Sequence, residues 1–240
     1  YNADPPVSSI AAPLSGAYYR VLAAVNGGAA SAFSNVALST VAISIRDLQT
    51  AGPNNCYSRA ANTFTVACPP DAAGWFKPAG TNNPWDFNFA SQPWTHFHSY
   101  VILSSATDVG GNVQVALSSA GFTFDTLLPT ATMTTAQWIK ASVNAFVGTS
   151  TDAPAGISGL SLALSSAAGA ANSWWDGSSF SGGAPVYLAA TVYTPGYPND
   201  TWSWTRPPLT DGQAYTLRTS ATDYAGNNWT RNQTPTVTYD

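Results

Sequence analysis

The residues able to do chemistry are few. All twelve acidic side chains are aspartates, and the chain holds two histidines, His96 and His98, and two cysteines, Cys56 and Cys68. Glycoside hydrolysis needs two carboxyls roughly 5 to 9 Å apart, one as acid and one as base or nucleophile. Asp176, Asp200 and Asp211 are the candidates, but each precedes Gly or Thr in a turn-like context and none has a distinctive partner. His96 and His98 would share one face of a strand and would hold a metal only if a third ligand converged. HExxH, CxxC, GxSxG and a glycine-rich phosphate loop are all absent from the sequence. The expected class is therefore not an enzyme.

Composition narrows the scaffold that would position these groups. Charged residues are 8% of the chain, against about 25% in ordinary globular domains. With 19 Gly and 17 Pro among many Ser, Thr and Asn, little is left for long helices, while 9 Trp and 11 Tyr supply large cross-strand partners. A net charge of -4 with only 8 Lys and Arg, and no basic run, excludes a phosphate-tracking surface, so nucleic acid is not an expected partner. No apolar run reaches the ~18 residues of a membrane helix, so no membrane insertion is expected in this chain. The first twenty residues lack a basic start and apolar core, so the targeting segment of an exported protein would lie elsewhere.

The chain repeats itself. TDVGGN at 107–112 returns as TDYAGN at 222–227, and the same offset carries Pro93 onto Pro208, Thr95 onto Thr210 and Tyr100 onto Tyr215. GFTFD at 121–125 matches TVTYD at 236–240. Upstream the offset drifts, as loops of different length require: Ile43 falls on Leu162, Cys56-Tyr57 on Trp174-Trp175, and Trp85 on Trp202. The boundaries are 1–125 and 126–240. Proline in the short junction restricts backbone freedom, which predicts a rod of limited bending.

Strand-length alternation fills both copies: VAISI at 41–45, WDFNF at 85–89, LSLAL at 160–164, WSWT at 202–205 and YTLRTSAT at 215–222. In the last, Tyr215, Leu217, Thr219 and Ala221 share the face built for a core. TDYAGNN reads as a hairpin, with the aspartate capping backbone N–H groups and Gly226 taking a position that β-branched residues resist. Several short strands in each copy bury their apolar faces most simply as two packed antiparallel sheets. Asp211-Gly212 before Tyr215 suits a tyrosine whose hydroxyl reaches back to the preceding loop.

LTDGQAYTLRTSATDYAGN at 209–227, the terminal TYD and the Pro-containing opening resemble the tandem bacterial immunoglobulin-like domains of large secreted or cell-surface proteins. WWDGSSFSGGAPVYLAAT at 174–191 is similar to the middle strands of such units, and the likeness spans both copies. It implies an all-β chain of two tandem immunoglobulin-like antiparallel β-sandwiches, located outside the cell or on its surface. The implied role is a stalk, spacer, filament segment or adhesive element, with neighbouring like domains or copies of itself as partners. The first copy departs where His96 and Phe97 stand at the places of Asp211 and Gly212, so its corner turn is expected to be made differently.

On such an exported module the lone pair Cys56 and Cys68, enclosing a hairpin-sized segment, is expected to form a disulfide. Short aspartate side chains serve turns well, which is the plain reading of most of them. The sharper reading places calcium near the unit boundary, on Asp125 with Asp108 or Asn112, and on Asp4 or Asp240 at the equivalent ends. No other cofactor is expected. Exposed aromatics among Trp174, Trp175, Tyr193, Tyr197, Trp202 and Trp229 would stack on sugar rings, giving a carbohydrate-binding or adhesin module as the alternative and a surface glycan as partner. Three sequons, at Asn199, Asn228 and Asn232, are possible N-glycosylation sites.

Overall fold

The computed structural model describes residues 4–33, 35–69, 72–78, 81–166, 170, 173–231 and 236–240. The chain divides into two compact units, residues 1–125 and 126–240. Both are all-β; the helical content of the described residues is one short 3-10 turn, Ala72–Gly74.

In the first unit, Val7–Ala12, Ala24–Ala30 and Trp85–Asn88 form a three-stranded antiparallel sheet. The second sheet runs Ala17–Tyr19, Ser118–Phe124, Ser99–Asp108, Leu38–Asp47, Cys56–Ser58, Thr63–Val66, with only its first pair parallel. The strand Ser99–Asp108 shows how the sequence builds it: alternate residues from Tyr100 to Asp108 are buried and those between are half-exposed. Val25, Trp85 and Phe87 from one sheet meet Ile43, Ile102 and Phe122 from the other in a single cluster. The unit is therefore a β-sandwich. Aromatic rings dominate its interior, with Phe89 and Trp94 4.7 Å apart in a T-shaped contact.

The second unit repeats the plan. Thr130–Met133, Ala145–Thr151, Asn199–Thr205 and Thr191–Val192 form one sheet. Against it lies a sheet ordered Trp138–Ile139, Thr236–Tyr239, Ala214–Asp223, Ile157–Ser165, Trp174–Trp175, Phe180–Gly182, with Leu188–Ala189 and Asn228–Arg231 attached beside Ile157–Ser165 and Ala214–Asp223. Tyr215, Leu217, Thr219 and Ala221 all face inward, on the side the alternation predicts.

Three devices recur in both units. The first is a tryptophan laid over a glycine: a Cβ on Gly27 would stand 2.5 Å from the Trp85 ring, and one on Gly148 would stand 2.3 Å from the Trp202 ring. Each indole N–H then donates 3.1 Å to a strand carbonyl, that of Gly28 or Thr149. The second is a tyrosine corner, in which Thr95 N–H donates to the Tyr100 hydroxyl and Thr210 N–H to that of Tyr215, both at 2.8 Å. The first unit's corner thus departs from expectation by being made the same way: Phe97 adopts φ 71°, beside φ 70° for Gly212. Burial pushes the Tyr100 hydroxyl up to about 12.

The third device is the hairpin cap. Asn112 donates its backbone and side-chain N–H to the two oxygens of Asp108, both at 2.9 Å, and Asn227 does the same to Asp223 at 2.8 Å. Gly111 and Gly226 supply the left-handed turn at φ 84° and 86°. One difference lies at the sheet edge. Cys56 and Cys68 are joined by a disulfide in the first unit, whereas in the second Trp174 stands at the place of Cys56 with the Arg218 guanidinium 4.8 Å from its ring centroid.

Candidate functional site

The carboxylates divide by the turns they hold. Asp176 accepts from the backbone N–H of Ser178 and Ser179 at 2.8 Å and from the Ser181 hydroxyl at 2.7 Å, which hold its carboxyl far below the usual range. Asp200 is buried and accepts from the backbone and hydroxyl of Thr194 at 2.8 to 3.0 Å and from Thr201 N–H at 2.6 Å. Asp211 is exposed in the turn before Tyr215. Asp176 and Asp211 therefore sit in turns and Asp200 in the strand Asn199–Thr205, and the oxygens of Asp176 and Asp200 are occupied by neighbouring donors.

The calcium grouping of Asp108, Asn112 and Asp125 is not assembled. Asp108 and Asn112 cap one end of the ten-residue strand Ser99–Asp108, and Asp125 lies beyond its other end. At about 3.3 Å per residue that separation is roughly 30 Å. The Asn112 side chain and the turn's backbone N–H groups lower the Asp108 carboxyl below its ordinary value. Within the second unit, Asp152 and Asp223 are both buried and bring carboxylate oxygens within 4.8 Å of each other. Carboxylate oxygens are hard donors of the kind that calcium takes.

His96 and His98 do not converge. His98 Nδ1 lies 2.7 Å from Asp47 Oδ2, and His96 Nδ1 lies 3.4 Å from Asp125 Oδ1. Burial acts to raise the Asp47 carboxyl, but hydrogen bonds from His98, Gln49 and Thr50 outweigh it and leave the group lowered.

Burial sorts the six aromatic candidates. Trp202 and Trp174 are 0% and 2% exposed, so these two of the six rings are core. Trp175 and Trp229 are half-buried against the same cluster. Tyr193 and Tyr197 are 60% and 64% exposed. Trp138 and Tyr224, also exposed, were not singled out by sequence. Trp138 occupies a two-residue strand too short to show an alternation.

Tyr193 borders a hollow of about 470 Å³ on the outer face of the four-stranded sheet, lined also by Thr149, Thr151, Asn199, Asp200 and Thr201. Strand register sets exposed polar residues in two rows: Thr132, Thr149, Thr201 in one, and Thr130, Thr151, Asn199 in the other. Tyr193 donates its hydroxyl to Ser203 Oγ at 2.8 Å and its backbone N–H to Thr201 O at 3.1 Å. Of the sequons, Asn199 is exposed at this hollow, and Asn228 is exposed with its amide donating 2.9 Å to Thr222 Oγ1. Asn232 lies outside the described residues.

No family model and no curated protein matches the chain. Among solved structures, a tetra-tandem repeat in the extending region of a large adhesion protein is 20% identical, with a TM-score of 0.35 over 98% of this chain and 49% of that one. A Bacteroides ovatus mixed-linkage glucan utilization locus protein, SGBP-B, in complex with a mixed-linkage heptasaccharide, is 10% identical with a TM-score of 0.28 over 99% of this chain and 48% of that one. A Streptomyces avermitilis alpha-L-rhamnosidase is 13% identical with a TM-score of 0.31 over 95% of this chain and 24% of that one. The chain thus spans about half the length of the adhesion repeat it matches.

Proposed function

We propose that the chain is a non-enzymatic extracellular structural module: two tandem immunoglobulin-like sandwiches acting as a stalk, spacer or filament segment of a surface or secreted assembly. One observation carries this reading. What the two units repeat is scaffold: tryptophan over glycine, tyrosine corner and Asp–Asn hairpin cap all return at matching positions. The aspartates of those hairpins act on backbone N–H groups, which is a folding role. The Cys56–Cys68 disulfide fits an oxidising compartment. Partners under this reading are neighbouring like domains or copies of the chain itself.

Stretching single molecules from their two ends tests it. Two separate unfolding steps are expected, each releasing about 3.3–3.6 Å per residue freed. Reduction should lengthen the first unit's step by roughly 40 Å, because the disulfide spans a sequence separation of 12. Extension without discrete steps would rule out a mechanical spacer. A second reading, a glycan-binding or adhesin module, is favoured by the exposed Tyr193 at the polar hollow of the second unit.

A further inference from the structure

We infer that the outer face of the second unit's four-stranded sheet binds a neutral oligosaccharide, laid across the two polar rows with one sugar ring against Tyr193. The inference rests on the glycan-binding reading above and gives it a site and a ligand class.

Shape is the first argument. A hollow of about 470 Å³ falls within the ~300–1,000 Å³ of ligand clefts. Its floor is chemically suited to sugar hydroxyls, since the threonine hydroxyls and the Asn199 amide each both donate and accept. Adjacent strands lie about 4.8 Å apart and alternate residues about 6.7 Å apart, so these groups form a regular grid. Tyr193 supplies the apolar wall. Its hydrogen bonds to Ser203 and Thr201 hold it in place before a ligand arrives, which reduces the ordering cost of binding.

Charge selects the ligand class. The charged residue lining the hollow is Asp200, whose oxygens are occupied by Thr194 and Thr201 donors. Among the described residues no lysine or arginine lines it to receive a carboxylate or sulfate, and the aspartate repels both. Uronic and sulfated sugars are disfavoured relative to neutral ones.

The fold does not demand these residues. On the outer face of the first unit's corresponding sheet stand Val7, Ser9, Gly28 and Ala30, around a smaller hollow of about 240 Å³. The same architecture forms there without the threonine rows or the tyrosine. Asn199 adds a further consequence: an N-linked glycan on its sequon would fill the hollow, so modification at Asn199 and capture of an external sugar exclude one another.

The test is calorimetric titration of the whole chain, made in a host without N-glycosylation, with cellohexaose, xylohexaose, mannohexaose and chitohexaose in turn, and with hexagalacturonic acid as the acidic counterpart. At least one neutral hexasaccharide should bind and the acidic one should not. Tyr193→Ala should weaken binding at least about tenfold. Thr149→Val and Thr201→Val, which keep shape and β-propensity, should each weaken it several-fold without lowering the melting temperature. These two variants keep the site testable should Tyr193→Ala not fold. If no neutral hexasaccharide binds, both the site and the glycan reading fail. Binding that all three substitutions leave intact would overturn the site alone, and equal or tighter binding of hexagalacturonic acid would overturn the charge argument. None of these results bears on the spacer reading, which the stretching experiment decides separately.

Discussion

At the scale of single residues, Phe97 is the clearest compromise. It takes the left-handed conformation that Gly212 takes in the second unit, at a cost of about 1–2 kcal/mol for an L side chain. The fold accepts the cost because Phe97 N–H and Gly212 N–H close equivalent bonds, to Phe124 O and Tyr239 O, both at 2.9 Å. Phe97→Gly should stabilise the first unit by about 0.5–1 kcal/mol, the strain relieved less the ~0.4–1 kcal/mol of extra freedom glycine gains when unfolded. Gly212→Ala should destabilise the second unit by about 0.5–1 kcal/mol, the backbone strain less the ~0.4–1 kcal/mol of unfolded-state freedom that alanine removes, since open space around Gly212 adds no clash. Urea denaturation of each variant measures both. Asp47 gives a pH dependence: its carboxyl is lowered in the fold, so its contribution is present above the ordinary value of 3.8 and lost as pH falls through the lower, folded value. Acid melting curves should show this loss in the native chain and not in Asp47→Asn.

At the scale of elements, the Trp–Gly contact sets how closely strands approach. A Cβ on Gly148 would meet Thr132 O at 2.1 Å as well as the Trp202 ring, and one on Gly27 would meet Ser9 O at 1.9 Å. Neither neighbour is a flexible side-chain end: one is backbone, and the other is an indole fixed by its own hydrogen bond. Gly27→Ala or Gly148→Ala should therefore cost about 3 kcal/mol or more, the upper range of overpacking, and should lower only the melting transition of its own unit. The alternation of YTLRTSAT made its buried face legible from sequence. The glycines were not legible in the same way, because a glycine within a strand reveals its purpose only when the ring above it is known.

For the whole molecule, the two compact units predict two transitions in calorimetry. Replacing Cys56 and Cys68 with serine should lower the first unit by about 2–4 kcal/mol, by freeing its unfolded chain, and leave the second unchanged. A single transition shifted as one would contradict independent units. The net charge of -4 on a chain with 8% charged residues leaves little long-range repulsion between copies of the chain. Among the described residues no helix is long and apolar enough to cross a membrane.

The repeat, the strand faces and the turn aspartates were readable in the sequence because each is local: alternation and turn geometry belong to a residue and its immediate neighbours. Asp108 and Asp223 cap hairpins through an asparagine four residues on. What the tertiary structure alone decided depends on partners far along the chain. His98 meets an aspartate 51 residues away, Asp125 and Asp108 are held apart by the length of one strand, and Trp202 turns inward because Gly148 leaves room for its ring. Tyr193 is left facing out beside threonines that only the pairing of three strands could align. Composition counts aromatic rings; strand register determines which of them meet solvent.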